Sequence, residues 1–397
     1  MELPYMQQST YHSQLAQLRD GFVASFGTVP AHVTRAPGRL EILGNHTDYN
    51  EGTVLSVAVD RAMFVAIAPA DPAGRNCQVV DLRDNSRRDF SLADLSHPRK
   101  GDWANYIKGL IVELQQRGIA VPPFSAALLG EVPLSAGMSS SAALEMAMLL
   151  ALNRLCGIEL SWLECAKIGQ ACENNYVGAQ TGLLDQFSSL RGKRGCLIYS
   201  DFRSYEVSTV PIPAGTAFVV ANSMVKHNLS QEYNERRQSC EEAVAALAKI
   251  YPGVSALRDV SWEQLLAARQ KLAPLPFRRA LHVVGEITRV EKGRMALQQG
   301  DVEQFGRLLL ESQQSSEENF ENSCPEIDAL VAIGRGLPGH LGARISGGGF
   351  GGICVHLVRA EQAGEYLTAL QKIYQEQSGR KISAMVCQAS DGASYLD

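Results

Sequence analysis

The 397-residue chain has no strong excess of either charge: 37 Lys and Arg stand against 42 Asp and Glu, a formal net charge of −5, and no long basic run occurs. That removes the electrostatic footprint of a non-specific nucleic-acid binder, so any phosphate the chain holds is met locally. Long apolar runs are missing as well. No window approaches the 18 or so apolar residues of a membrane span, and residues 1–19 have neither the basic start nor the apolar stretch of a secretory leader, which predicts a cytoplasmic protein with no membrane partner. The nine cysteines are odd in number, scattered and never spaced Cys-x-x-Cys. This argues against a disulfide framework or zinc site and for small core residues. The eight histidines form no His-Glu-x-x-His pair, and no repeat, low-complexity tract or flexible linker is visible.

What is present is an ordinary globular composition, 45% hydrophobic and 20% charged. At roughly one domain per 150 residues the length predicts two domains with a cleft between them. Glycine is in excess, 35 residues against a usual share of about 7%. The glycines cluster at 38–52, 130–137 and 178–195 and in the run Ser346-Gly-Gly-Gly-Phe-Gly-Gly352.

Tyr11, Leu15, Leu18, Phe22 and Phe26 recur at helical spacing, a strand follows at Val33, and 53–59 and 61–68 read as paired strands. A helix carries Trp103, Ile107, Leu110, Ile111 and Leu114; 124–129 is strand-like; helices are predicted at 144–155 and 162–177 and strands at 195–199 and 217–222. The second half is mostly helical (230–251, 261–272, 276–298, 301–321, 325–334), with short strands at 342–346, 353–358 and 382–388 around a helix at 361–377. The class is α+β, with a boundary near 205 that divides an N-terminal domain, 1–205, from a C-terminal one, 206–397.

Four segments carry potential chemistry. Pro133-Leu-Ser-Ala-Gly-Met-Ser-Ser-Ser-Ala142 opens a helix, where backbone N–H groups and the positive dipole end suit phosphate oxygens. A plain serine N-cap explains it equally well, and no Gly-Lys-Ser/Thr follows to make a Walker loop. The 347–352 run satisfies G-x-G-x-x-G but leads into a strand, so it is not a dinucleotide fingerprint. Five glycines in six residues favour close backbone approach to a ligand or to the other domain over a simple hairpin turn. Arg35-Ala-Pro-Gly-Arg39 and Asn45-His46-Thr-Asp48-Tyr-Asn-Glu-Gly52 offer a donor and acceptor mix suited to sugar hydroxyls, against the alternative of a solvated Asx turn. Finally, Glu173 and Asp185 provide the two acidic roles of phosphoryl transfer, one holding Mg²⁺ and one accepting a hydroxyl proton, although each alone is more often a surface group.

Together, in this order, the segments resemble the GHMP small-molecule kinases and, within them, the galactokinase family. Further stretches match: Gly182-Leu-Leu-Asp-Gln-Phe, Ser230-Gln-Glu-Tyr233, Arg279…His282-Val-Val-Gly-Glu286, Cys324-Pro-Glu and Ala343-Arg-Ile-Ser. The resemblance implies a ribosomal-S5-like N-terminal domain and a ferredoxin-like C-terminal domain. It implies a monomeric enzyme using ATP and Mg²⁺ to phosphorylate a sugar at C1, with galactose giving galactose 1-phosphate. Asp185 would be the base and Arg39 would stabilise the transferring charge. Ser135, Ala136, Gly137, Met138, Ser139, Ser140 and Ser141 would wrap the ATP phosphates, with Ser141 and Glu173 on Mg²⁺. Asn45, His46, Asp48, Gly182 and Tyr233 fall where the family contacts its sugar, and Gly347, Gly348, Gly349 and Gly351 would lie near sugar and phosphate.

One departure bears on specificity. The family carries glutamate before His-Thr-Asp and Val-Asn-Leu/Ile just upstream, whereas this chain has Asn45 and Leu40-Glu41-Ile42. An amide still bonds a C6 hydroxyl but removes a charge that repels a C6 carboxylate. A uronic acid or another hexose is therefore the second reading of the substrate. A catalytically silent sugar sensor is the third, disfavoured by the intact Ser141-Ala142, Glu173, Asp185 and Arg39.

Overall fold

The computed structural model describes residues 11–70, 75–133, 137–225 and 229–396, side chains of 229–231 aside. The first half is built on an eight-stranded sheet. Strand β1 (His32–Leu43) pairs with β2 (Thr53–Pro69), which pairs with β5 (Phe124–Gly130); beyond β5 lie β3 (Asn76–Asp81) and β4 (Ser86–Ser91). Pairing is antiparallel except between β3 and β5. The 53–59 and 61–68 segments are one continuous strand rather than two. β1 pairs with β2 from Leu55 to Ile67, on both sides of the sequence break at Asp60-Arg61, which is taken up where Ala62 faces Pro37 and Ala58 faces Arg39, a bulge beside the candidate site.

β2 is apolar on both faces because both are covered. Met63, Val65 and Ile67 pack with Met146, Leu149 and Leu150 of α3 (Ser140–Cys156), while Phe64 and Ala66 pack against Leu15, Leu18 and Phe22 of α1 (His12–Phe26). Helices α2 (Ala104–Gln116), α4 (Trp162–Ala171) and α5 (Leu184–Arg191) complete the α3 side. The sheet also reaches past residue 205. β6 (Cys196–Asp201) pairs with β2 and β7 (Val207–Pro211) with β6, and the C-terminal β12 (Ser394–Tyr395) returns to β1.

The second half holds a four-stranded antiparallel sheet in the order β11 (Ser383–Cys387), β8 (Thr216–Asn222), β10 (Ile353–Arg359), β9 (His340–Ser346). Alternation along β8 sends Val219 and Ala221 to α10 (Pro325–Arg335) and α11 (Ala363–Ser378), and Phe218 and Val220 into the core shared with the first half. Helices α6 (Leu229–Ala248), α7 (Trp262–Ala267) and α8 (Pro274–Gln298) form a satellite bundle whose core also receives Tyr49. All nine cysteines are free thiols, six of them buried. No helix among the described residues is long and apolar enough to cross a membrane.

Helix α9 (Val302–Ser315) crosses β9 at backbone contact. A Cβ on Gly306 would lie 2.0 Å from the Leu341 carbonyl oxygen. Backbone cannot yield as a side chain can, so Gly306→Ala is expected to destabilise by about 3 kcal/mol or more, at the upper end of overpacking costs. A denaturant melt showing no loss would contradict that reading.

Candidate active site

The site forms where the inner end of β1, the N-termini of α3 and α5, and the turn after β9 converge. Arg39, 6% exposed, directs Nε and Nη2 at Asp185 Oδ1, at 2.7 and 2.6 Å, and donates from Nη1 to the Gly137 carbonyl at 2.6 Å. Asp185 lies in the first turn of α5, where free N–H groups favour an anion, and Ser139 Oγ donates to its other oxygen. One arginine thus links the proposed base to the serine loop. Ser139 sits at φ 53°, a left-handed conformation uncommon for serine, immediately before Ser140 starts α3, and buried Met138 accepts the Arg39 backbone N–H at 3.1 Å. Ser135 and Ala136 lie outside the described residues.

Glu173 stands at the start of a π-helical turn (Cys172–Val177) that ends α4, irregularity of a kind frequent at functional sites. Its oxygens accept from Ser141 Oγ (3.3 Å), Thr181 Oγ1 (2.5 Å) and Gln186 Nε2 (3.3 Å). Burial and the Asp185 charge raise its pKa to about 7. Gln186 also donates to buried Glu145, a carboxyl that sequence reasoning passed over because it lies within an apolar helix. Among the described residues no three His, Cys, Asp or Glu side chains form a ready-made cage. A hydroxyl and one carboxylate suit Mg²⁺, which keeps waters and completes its shell with phosphate oxygens.

On the other side of Asp185, Asp48 lies against Gly182. A Cβ at 182 would stand 1.8 Å from Asp48 Oδ2, so only glycine lets that carboxylate take its place. Burial, then the charge of Glu41, raises the Asp48 pKa to about 7. Burial lowers His46 to about 3, so the ring is neutral. Its Nε2 lies 3.2 Å from the Gly348 carbonyl and must carry the proton, leaving Nδ1 to accept from the Tyr49 hydroxyl at 2.9 Å. The Tyr233 ring packs on His46 at 5.1 Å and lies beside Gly348. Gly347, Gly349 and Gly351 all have positive φ, as does Phe350, whose N–H donates to the Asn322 carbonyl.

Asn45 is placed differently from Asp48, Gly182 and Tyr233, which are partly open to the cleft: it has no exposed surface. Its amide donates to Glu41 Oε1 (2.8 Å) and the Gly347 carbonyl (2.9 Å), and its oxygen accepts from Asn322 Nδ2 (2.9 Å). Glu41 in turn pairs with fully buried Arg344 at 3.0 Å. Asn45 therefore does not leave its surroundings without a carboxyl group, because Glu41 supplies one at hydrogen-bond distance, its pKa raised by burial with Arg344 opposing the shift. Glu286, from α8, accepts the backbone N–H groups of Gly44 and Asn45, both at 2.9 Å. Glu286 and Arg344 stood within the motifs read from sequence without a role; their signal was a charge within an otherwise apolar stretch.

Glu173 has a folded pKa above its ordinary 4.5. The folded state keeps this proton longer than the unfolded chain, so the group costs stability as pH rises from about 4.5 to 7, with a plateau above, on the order of 3 kcal/mol. Glu173→Gln removes the cost, with the rotatable Ser141 hydroxyl able to accept from the new amide. It is expected to melt higher than wild type at pH 8, with the gain shrinking by pH 5, while phosphoryl transfer falls. An equal gain at both pH values would exclude this origin.

Comparison with known proteins gives three matches to family models: the galactokinase galactose-binding signature at residues 20–69, the GHMP kinase N-terminal domain at 105–193 and the GHMP kinase C-terminal domain at 295–376. Galactokinase from Roseiflexus sp. strain RS-1 is 39% identical over 378 residues, 95% of this chain and 96% of the relative. Galactokinase from Homo sapiens is 39% identical over 394 residues, 96% of each. The crystal structure of Lactococcus lactis galactokinase complexed with galactose superposes with a TM-score of 0.92 at 28% identity, covering 97% of this chain and all of that one. A mevalonate kinase structure, 18% identical, shares the fold at a TM-score of 0.62 over 90% of this chain and 99% of that one. The two-half α+β architecture is that of ATP-dependent small-molecule kinases, and the chain belongs to the galactokinase family of the GHMP kinases.

Proposed function

We propose that the chain transfers the γ-phosphoryl group of ATP to the C1 hydroxyl of D-galactose, giving ADP and galactose 1-phosphate. The observation that carries this reading is the Arg39–Asp185 pair, which stands between the serine loop before α3 and the Asp48–Gly182 wall. Phosphoryl transfer needs positioning and charge stabilisation more than covalent chemistry. In this reading Asp185 accepts the hydrogen bond and then the proton of the C1 hydroxyl, held in place by Arg39 and Ser139. Arg39 faces the charge that builds on the transferring group. Gly137, Met138, Ser139, Ser140 and Ser141 line the phosphates at the N-terminus of α3. Ser141 and Glu173 would hold Mg²⁺, which would neutralise phosphate charge when bound. Asp48, His46, Gly182 and Tyr233 form the sugar side, with Gly347, Gly348, Gly349 and Gly351 covering it. Both walls come from one chain, so the proposed site needs no second subunit, in keeping with a monomer.

The charge inventory favours a neutral hexose over a uronic acid. Asp48 and Asp185 lie on the sugar side, where burial and then the Glu41 charge already disfavour the Asp48 carboxylate; a substrate carboxylate would add a further negative charge to a site whose two cations, Arg39 and Arg344, already serve Asp185 and Glu41.

Asp185→Asn is expected to lower kcat by about 10²- to 10⁴-fold, the range of general-base losses, with ATP affinity by calorimetry kept. Undiminished turnover would remove Asp185 from its role. In a coupled ADP-release assay galactose is expected to exceed galacturonate at least about 100-fold in kcat/KM. Comparable rates would overturn the charge reading.

A further inference from the structure

The Asn45 amide is held in a single orientation by its neighbours. Glu41 Oε1 and the Gly347 carbonyl are acceptors on one side, and Asn322 Nδ2 is a donor on the other. Turning the amide over would set oxygen against two oxygens and NH₂ against NH₂. Glu41 is fixed in turn: Arg344 Nη1 donates to its carboxylate at 3.0 Å and to the Ile42 carbonyl at 3.2 Å, and its own N–H donates to Ser346 Oγ at 2.9 Å. Every one of these partners except Glu41 and Ile42 belongs to the second half of the chain. Asn45, Arg344 and Asn322 have no exposed surface and Glu41 has 3%.

The far side of the cluster leads into the glycine-rich turn. Gly347 is held through its carbonyl by Asn45, and Phe350 through its N–H by the Asn322 carbonyl at 2.5 Å. Gly349 lies so close to Asn322 that a Cβ would stand 2.4 Å from that carbonyl. Between those two anchors Gly348 presents its carbonyl to His46 and its Cα to the Tyr233 ring. A turn with four positive-φ residues among five has little conformational preference of its own, so its shape is set by these anchors.

We propose that Asn45 is a positioning residue: oriented by Glu41 and Arg344, it ties the loop after β1 to the turn after β9 and orders the Gly347–Gly351 backbone over the cleft, without itself reading the sugar. That the cleft holds a sugar rests on the function proposed above; the tie itself does not. Residue 45 then contributes to catalysis equally for any sugar that fits, whatever stands at C6.

The test pairs hydrogen–deuterium exchange with kinetics on D-galactose and 6-deoxy-D-galactose, which differ only in the C6 hydroxyl. Asn45→Ala loses two buried donors, one of them to a charged partner. It is expected to speed exchange in the 346–352 segment about tenfold or more in the ligand-free protein and to lower kcat/KM about 10- to 100-fold by the same factor for both sugars. Asn322→Ala, which removes the other side-chain end of the tie, is expected to share this signature if Asn45→Ala folds poorly. Loss confined to galactose, or unchanged exchange in both alanine variants, would overturn the proposal. A wild type that phosphorylates neither sugar would sink the proposed function while the exchange arm still decides the tie.

Discussion

Four carboxylates, Glu41, Asp48, Glu173 and Asp185, are gathered in and around the site, and the cost of keeping them there governs the rest of it. Burial raises the pKa of Asp48 and Glu173 to about 7, and their neighbours add to it, Glu41 for Asp48 and Asp185 for Glu173. Arg39 and Arg344 are the compensating cations, one on Asp185 and one on Glu41, reaching in from β1 and β9. Each half therefore supplies a cation for a carboxylate carried by the first half. Breaking either pair would strand a desolvated charge, which costs more than the pair contributes when intact.

That constraint explains the irregular backbone at the junction. Chain segments approach here without side chains between them: Asp48 lies against Gly182, and the Asn322 carbonyl against Gly349. The bulge between β1 and β2 at Pro37 and Arg39 belongs to the same solution, because it locally breaks the strand register at Arg39. Compact apolar packing supports it from behind. One buried cluster runs from Leu43 and Val54 of the first half to Val290 and Phe305 of the second, so the halves do not depend on the polar contacts alone to stay together.

Much of the fold was legible because periodicity reports burial. Helices α1, α8, α10 and α11 and strands β8 and β10 fall near where their apolar spacing puts them. The strands β3 and β4 were not legible: their outward residues, Gln78, Arg87 and Asp89 among them, make them look like loop, and only pairing with each other and with β5 defines them. The turn of α5 was hidden too, since Gly182-Leu-Leu-Asp-Gln-Phe carries no cap signal beyond its aspartate. In the site, the motif residues were visible as types and spacings. Their partners were not, because Glu41 and Arg344 are 303 positions apart and nothing local announces a long-range ion pair.

The Glu41–Asn45 relation shows why composition at a single position misleads. Read alone, asparagine at 45 removes a charge and opens the pocket to a carboxylate. In the folded chain residues 41 and 45 share a hydrogen bond, and Arg344 holds the carboxylate at 41 against the burial that raises its pKa, so a carboxyl group is retained here and only its attachment to the backbone differs. The mild net charge of −5 is misleading in the same way. A polyphosphate would be repelled by these carboxylates if they were unpaired, yet Arg39 and Arg344 occupy two of them, so the charge an anion meets here is set by local pairs and not by the sum over the chain.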